Sequence, residues 1–172
     1  GLTVFNPADG SFRSVSGPGE PGQTLDVLCL VEDSLGFVWI GTRNMGVWRI
    51  DPELRRPLQI AGFDEVSEVR DMFLQAGLGV WIAGSRGLFL LQEKPGADFR
   101  AERARFFPRD EALVDVEVDA RGNIWLATQV RGVAIYFPET GFLDRLQENF
   151  SSPRGLLSNR MFELYQDSQG GI

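Results

Sequence analysis

Three segments of the chain repeat one another at intervals of 42 and 44 residues, measured between Trp39, Trp81 and Trp125. Each segment has an apolar run, a turn, a strand centred on tryptophan, a second turn that ends in glycine, and another apolar strand. A period of roughly 40 to 45 residues with four short strands is typical of a β-propeller blade. The runs are too short, and too rich in β-branched and aromatic residues, for the paired helices of an α-solenoid.

The segment 25–60 shows why such a unit folds as antiparallel strands. Its first run, Leu25 to Val31, is apolar on successive residues, which favours an inner strand packed on both faces. Asp33 and Gly36 then favour a tight turn, because Asp accepts bonds from downstream amides and Gly adopts positive φ. The next strand carries Trp39, whose ring we expect to be buried between blades.

The sequence therefore predicts an all-β chain of four-stranded antiparallel blades, about three complete and two partial, within a larger propeller. The predicted limits within 1–172 are a blade part at 1–15, blades at 25–60, 66–107 and 112–147, and a blade part at 158–172. Residues 1–7 align with 46–52, and residues 161–172 align with an inner strand and first turn. Both ends are thus expected to cut through a blade, and together they would make one interrupted fourth blade.

Two further expectations concern irregular parts of the pattern. The segment 96–110 is charged and weakly patterned, so we predict an outer strand with long connections, with a short helix at Ala101 to Arg105 as an alternative. A blade cut before its tryptophan strand leaves unpaired backbone groups. The chain is therefore expected to close on itself as a small ring or to pair edge to edge with another chain.

Composition excludes several classes of function. The net charge of −7 argues against nucleic acid as a partner, because an acidic surface repels phosphate. The chain has no histidine, which removes Ser-His-Asp and Cys-His catalysis and the HExxH zinc motif. The single cysteine, Cys29, lies in an apolar run and is interpreted as a small buried hydrophobe. We predict no cofactor and no metal site.

A paired acid and base is the remaining catalytic candidate. Glu32 and Asp33 are adjacent carboxylates, but the same turn position recurs as Asp119 and Asp167, as expected of a fold element. No phosphate-binding loop and no calcium loop of EF-hand spacing occurs in the sequence. The chain is therefore predicted not to be an enzyme.

The candidate ligand-binding residues lie in the second turn of each unit, where three arginines occur. If these turns project to one face, their guanidinium groups would surround a central channel and suit a carboxylate, phosphate or sugar. Exposed loop arginine is the alternative interpretation. The candidate set consists of Arg43, Asn44, Arg86, Gln129, Arg131 and Asn159.

Aromatic side chains form a second type of candidate, because an exposed ring can stack on a sugar. We expect Trp39, Trp81 and Trp125 in the blade core. Trp48 belongs to a different strand, and it is therefore the better candidate for exposure.

The repeat resembles that of the two-component regulator propeller family. The resemblance rests on VEDSLGFVWIGTRNMGVWRIDP, VDARGNIWLATQVRGVAIYFP and GLLSNRMFELYQDSQGGI, and it spans almost the whole chain except about 96–110. It implies a periplasmic sensor region that precedes a membrane helix and a histidine kinase, hybrid kinase or diguanylate cyclase output domain. Some members of the family sense oligosaccharides.

The leading hypothesis is therefore a ligand-sensing extracytoplasmic propeller of a membrane-bound signalling protein. It would bind a small molecule or carbohydrate, associate with itself, and meet the membrane only through segments outside these residues. The first alternative is a protein-interaction scaffold, against which the missing WD dipeptides and Gly-His motifs count. The second is a propeller lyase or glycosidase, although related lyases rely on histidine.

Overall fold

The computed structural model describes residues 1–15, 25–53, 57–60, 68–94, 98–104, 107–108, 110–152 and 155–172. These residues form fourteen β-strands and no helix. The strands are β1 Leu2–Asn6, β2 Ser11–Val15, β3 Val27–Glu32, β4 Val38–Thr42, β5 Val47–Ile50, β6 Pro57–Gln59, β7 Val69–Gln75, β8 Gly79–Gly84, β9 Gly87–Lys94, β10 Asp98–Arg103, β11 Leu113–Val118, β12 Ile124–Thr128, β13 Val133–Phe137 and β14 Phe142–Leu146. Across the described ranges, no helix is long and apolar enough to cross a membrane.

The strands form three antiparallel sheets of four strands and one of two strands. The first blade is β3–β6, the second is β7–β10 and the third is β11–β14, each in sequence order, and β1 pairs with β2. The prediction of an all-β chain built from four-stranded blades is confirmed. The inner strand β7 packs against both β3 and β11, so the three inner strands lie side by side.

Tryptophan rings bury the interfaces between successive blades. Trp39 of the first blade packs against the second blade, and Trp81 of the second packs against the third. Both rings are almost fully buried, as expected. Trp125 of the third blade is only half-buried, because among the described residues only 158–172 lie beside that blade on the corresponding side.

Each of these tryptophans is also tied to the turn before it. The indole N–H donates to a side-chain oxygen six residues earlier, in the pairs Trp39–Asp33 at 3.0 Å, Trp81–Gln75 at 2.7 Å and Trp125–Asp119 at 3.0 Å. The second blade lacks the turn aspartate, and Gln75 supplies the same acceptor. A buried indole N–H without an acceptor would destabilise the folded state. The bond therefore explains why each blade has a tryptophan and, six residues earlier, a side chain with an acceptor oxygen.

The structure corrects the expectation for Trp48. Its side chain is 1% exposed, and it packs with Leu25 and Ile40 in the core beneath the β1–β2 sheet. Its indole N–H donates to the carbonyl oxygen of Met45 at 3.0 Å. The ring is buried because it faces the neighbouring sheet, so Trp48 offers no surface for stacking on a sugar.

The weakly patterned segment contains an outer strand. β10 pairs with β9 from Asp98 to Arg103, which confirms the predicted strand and shows that the alternative of a helix at Ala101 to Arg105 is wrong. The strand forms because β9 offers a free edge along its length, and this pairing outweighs the local sequence preference. Residues 95–97, 105–106 and 109 of the predicted segment lie outside the described residues.

The C-terminal segment forms the predicted turn but not the predicted inner strand. Residues 161–166 form no ladder with a described strand. In the three blades the inner strand pairs with the tryptophan strand, which has no counterpart here among the described residues. The turn is nevertheless regular: Asp167 accepts the amide of Gln169 at 2.8 Å, and Gly170 has a φ of 82°, close to 81° at Gly36.

The two terminal segments do not form a joint blade within the described residues. The β1–β2 pair packs on the first blade through Leu2, Val4 and Val15. No strand pairing joins it to residues 158–172. The described residues therefore do not close into a small ring. Edge-to-edge pairing with another chain stays a prediction.

Candidate functional site

A cleft of about 400 Å³ opens where the inner strands begin, at the end of the sheets that carries the second turns. We call it the channel cleft. It is lined by Leu28, Arg43, Glu68, Arg70, Val114, Gln129, Arg160, Met161 and Phe162. Its volume lies within the range of roughly 300–1,000 Å³ that is usual for small-molecule sites.

A repeated backbone irregularity places three of these side chains in the cleft. The register of each inner strand against its partner shifts near its start, which leaves one bulged residue between the paired positions. These residues are Leu28, Arg70 and Val114, each five positions before the turn acceptor. Phe162 has the same spacing from Asp167. Bulges re-aim side chains, and here they direct one side chain per unit towards the cleft.

The first residue of each second turn lies beside the bulge. The backbone amides of Arg43, Ser85 and Gln129 donate to carbonyl oxygens just before the neighbouring inner strand, at 2.9, 3.3 and 3.1 Å. These three residues are therefore structural equivalents. Arg86 is instead the second residue of its turn and Arg131 the third, so the three arginines of the second turns occupy three different positions counted from the start of the turn.

Only two of the six predicted ligand-binding residues line the channel cleft, Arg43 and Gln129. Asn44, Arg86 and Arg131 are exposed elsewhere on the turns. Asn159 has a structural role: its carbonyl accepts the amide of Gly132, and its side-chain oxygen accepts the amide of Glu148, both at 2.7 Å.

Sequence reasoning missed Glu68, Arg70 and Arg160. Arg70 has a detectable signal, because it stands five residues before the turn acceptor, where the first and third units have Leu28 and Val114. Arg160 and Glu68 flank inner-strand segments at the cleft, and no repeated motif marks them.

Ion pairs connect two of the cleft arginines to acidic residues. Arg43 Nε lies 2.8 Å from a carboxylate oxygen of Asp26, and its Nη1 lies 3.8 Å from Glu68. Arg70 donates through Nε and Nη2 to the two carboxylate oxygens of Glu68, at 3.2 and 3.3 Å. Glu68 thus holds both arginines at the edge of the cleft.

Arg160 has a different environment. Its guanidinium lies 5.1 Å from the centre of the Phe162 ring, within the range of a cation–π contact. Its backbone amide donates to Ser158 Oγ at 3.0 Å. In the part of the chain that the structure describes, no carboxylate lies within ion-pairing distance of this guanidinium.

Two carboxylates lie further along the inner strands. Asp71 accepts the amide of Val116 at 3.0 Å, and Asp115 accepts the amide of Leu164 at 2.5 Å. Each therefore bonds the backbone of the following unit. Burial, together with the hydrogen bond to Asp115, raises the pKa of Asp71 to about 8. The pair joins neighbouring units, and these contacts give it a structural role.

Cys29 occupies the equivalent position in the first blade. It is half-buried beside the carbonyl of Val69, and burial followed by the charge of Asp71 raises the pKa of its thiol to about 12. The thiol stays protonated, in agreement with its interpretation as a small hydrophobe. Within the described ranges no cluster of three or more Cys, Asp or Glu side chains is placed to hold a metal ion.

Comparison with known families identifies the repeat. The model described as "Two component regulator propeller" matches residues 21–44, which include the start of the first blade. The chain carries the two component regulator propeller repeat. The resemblance stated from the sequence is thereby confirmed. No curated protein matches the chain in sequence.

Solved structures share the fold of this repeat protein at low sequence identity. The extracellular domain of BT4673 from B. thetaiotaomicron, named as a one component system, has a TM-score of 0.81 at 16% identity, over 99% of this chain and 23% of its own. The extracellular domain of BT3049, named as a hybrid two component system of the same organism, has a TM-score of 0.73 at 17% identity, over 99% and 22%. This chain therefore spans less than a quarter of either.

An enzyme also shares the fold, at lower similarity. A catalytically inactive, histidine-to-alanine form of virginiamycin B lyase from Staphylococcus aureus has a TM-score of 0.60 at 13% identity. The match covers 88% of this chain and 49% of the lyase. At identities this low, the structural similarity establishes a shared fold and nothing about function. The function therefore has to be argued from the site.

Proposed function

We propose that the chain is a ligand-sensing propeller module, placed outside the cytoplasm, of a membrane-bound two-component or cyclic-dinucleotide signalling protein. The regulator propeller repeat at 21–44 and the fold shared with extracellular domains of signalling systems support this proposal. The same resemblance supports a periplasmic location, which is part of this proposal. The module would pass on ligand binding as a change in how its blades or its copies associate.

The channel cleft is the observation that carries the sensing role. It combines guanidinium and amide donors with apolar bulge residues, in a volume of about 400 Å³. Such a mixture of apolar walls and a few oriented polar groups is typical of small-molecule sites. We place the ligand beside Arg43, Arg70, Gln129 and Arg160.

The enzyme alternative rests on the lyase fold relative, whose inactive form has a histidine replaced by alanine. This chain has no histidine. The carboxylates Asp71 and Asp115 accept backbone amides of the next unit, which engages them in joining the blades. These observations favour sensing over catalysis.

A ligand screen on the purified chain tests the proposal. The screen measures melting temperature with neutral sugars, oligosaccharides and small carboxylates, followed by titration calorimetry of any compound that raises it. A ligand present at 100 times its Kd stabilises the folded state by about 2.7 kcal/mol. We expect the double variant Arg43→Ala/Gln129→Ala to lose the shift.

The matched control is the double variant Arg86→Ala/Arg131→Ala, which changes turn residues outside the cleft. It should keep the full ligand-induced shift. Loss of the shift in this control but not in the cleft variant would place the ligand elsewhere. A complete absence of binding across the screen would favour the protein-interaction scaffold.

A further inference from the structure

The charges around the channel cleft are unequally compensated. Asp26, Arg43, Glu68 and Arg70 form a connected series of ion pairs in which two positive groups face two negative groups. Their charges cancel within the series. A ligand that bound one of these charged groups would have to break an existing ion pair. This side of the cleft can therefore orient a ligand through hydrogen bonds, but it presents no unpaired charge.

Arg160 is the uncompensated charge of the cleft. It is exposed, and its only described side-chain contact is the face of Phe162. A guanidinium presents a planar fork of donors that matches the two oxygens of a carboxylate. The guanidinium carbon lies 5.1 Å from the centre of the Phe162 ring, and the exposed side chain is open to an acceptor from solvent.

Apolar side chains share the cleft with Arg160. Leu28, Val114, Met161 and Phe162 line the cleft, and Phe162 is 70% exposed. An exposed aromatic ring next to a guanidinium favours a ligand with a flat apolar face beside its charged group. One unpaired cation beside one aromatic surface therefore favours a ligand that has a single negative charge and a flat apolar face.

We propose that the channel cleft binds a carboxylate carried on a six-membered ring, with the carboxylate on Arg160 and a face of the ring against Phe162. This inference rests on the proposed sensing function and narrows its ligand class. A uronic acid and an aryl carboxylate share this chemistry, and matched probes separate them.

The test uses four probes with the purified 172-residue chain: glucuronate with glucose as its neutral partner, and benzoate with benzyl alcohol. Affinities are measured by titration calorimetry and ligand-observed NMR at low salt. We expect at least one carboxylate to bind more tightly than its neutral partner by about tenfold or more, the effect of one hydrogen-bonded charge. Raising the salt concentration should reduce this preference.

Variants then locate the carboxylate. Arg160→Gln should abolish the preference for the charged probe, whereas Arg160→Lys should keep only part of it, because the positive charge remains but the planar fork of donors is lost. The matched control is Arg121→Gln, an exposed arginine in a first turn at the opposite end of the sheets. Circular dichroism confirms that each variant is folded.

Several outcomes would overturn the inference. Equal affinity for charged and neutral probes, an unchanged preference in Arg160→Gln, or no binding by either carboxylate would each do so. The carboxylate inference can fail while the sensing function stands: binding of a neutral sugar that depends on Arg43 and Gln129 would uphold sensing and reject a carboxylate ligand.

Discussion

At the scale of single residues, Asp71 links stability to pH. The folded pKa of Asp71, about 8, lies above its ordinary value of 3.8, so the folded chain retains a proton that the unfolded chain loses. The stabilisation is complete below pH 3.8 and is lost as pH rises through 8. Around this carboxyl, Cys29 lies on the first blade and Asp115 on the third, and Glu117 in turn lies near Asp115.

Asp71→Asn tests this linkage, because the amide imitates the protonated acid. We expect the free energy of unfolding of the parent to fall between about pH 5 and pH 8 and that of the variant to change less, as linkage requires. Urea unfolding at a series of pH values measures both. The exposed Asp110→Asn variant serves as the control and should follow the parent. A parent whose stability is flat over this range would contradict the expectation.

The acceptor for each tryptophan is a second feature of this scale. From sequence, Gln75 is a departure from the turn aspartate, whereas the structure shows it accepting the Trp81 indole at 2.7 Å. Gln75→Ala should destabilise the chain by about 1–3 kcal/mol, the cost of an unsatisfied buried donor. Gln75→Asp should recover most of this, since Asp33 and Asp119 accept the equivalent indoles. Chemical denaturation compares the two variants, and equal stability would reject the acceptor role.

At the scale of strands and turns, local chemistry was predictable and loop register was not. Turn aspartates, glycines and tryptophans carry their own signals, because each has a specific backbone or burial requirement. The second turns all end in glycine, but that of the second blade is one residue shorter than the other two, and the remaining turn residues do not repeat. The sequence could therefore group Arg43, Arg86 and Arg131 in one predicted site, although they occupy different positions within their turns. Counting from the turn acceptor would have found Arg70, whereas Arg160 emerges only from the folded arrangement.

Close packing between inner strands sets a second element-scale expectation. A Cβ atom on Gly41 would lie 2.3 Å from Cys29 Sγ and 2.6 Å from Val69 Cγ1. Gly41→Ala should thus destabilise the chain by about 1–3 kcal/mol through overpacking. Adding Cys29→Ala should recover part of this loss, which a double-mutant cycle in urea measures. If the changes in unfolding free energy of the two substitutions were additive, the Cys29 sulfur would not be the cause of the strain.

At the scale of the whole molecule, blades depend on their neighbours for burial. The rings of Trp39 and Trp81 are covered by the next blade, whereas Trp125 stays half-buried beside residues 158–172. Residues 157–172 expose Leu157, Phe162 and Tyr165, and residues 161–166 lack a strand partner among the described residues. Unpaired backbone next to exposed apolar side chains favours pairing with another strand.

We therefore expect the chain to self-associate through residues 161–166 at high protein concentration. Tyr165 is 76% exposed, so Tyr165→Glu should weaken association through like-charge repulsion without disturbing the core. Phe12→Glu, at a side chain 71% exposed on the β1–β2 sheet, is the matched control and should leave association unchanged. Sedimentation velocity over a hundredfold range of concentration, a span that resolves about 2.7 kcal/mol in association free energy, measures all three. A parent that stays monomeric throughout would reject pairing at this edge, and an equal effect of both substitutions would indicate general charge repulsion instead.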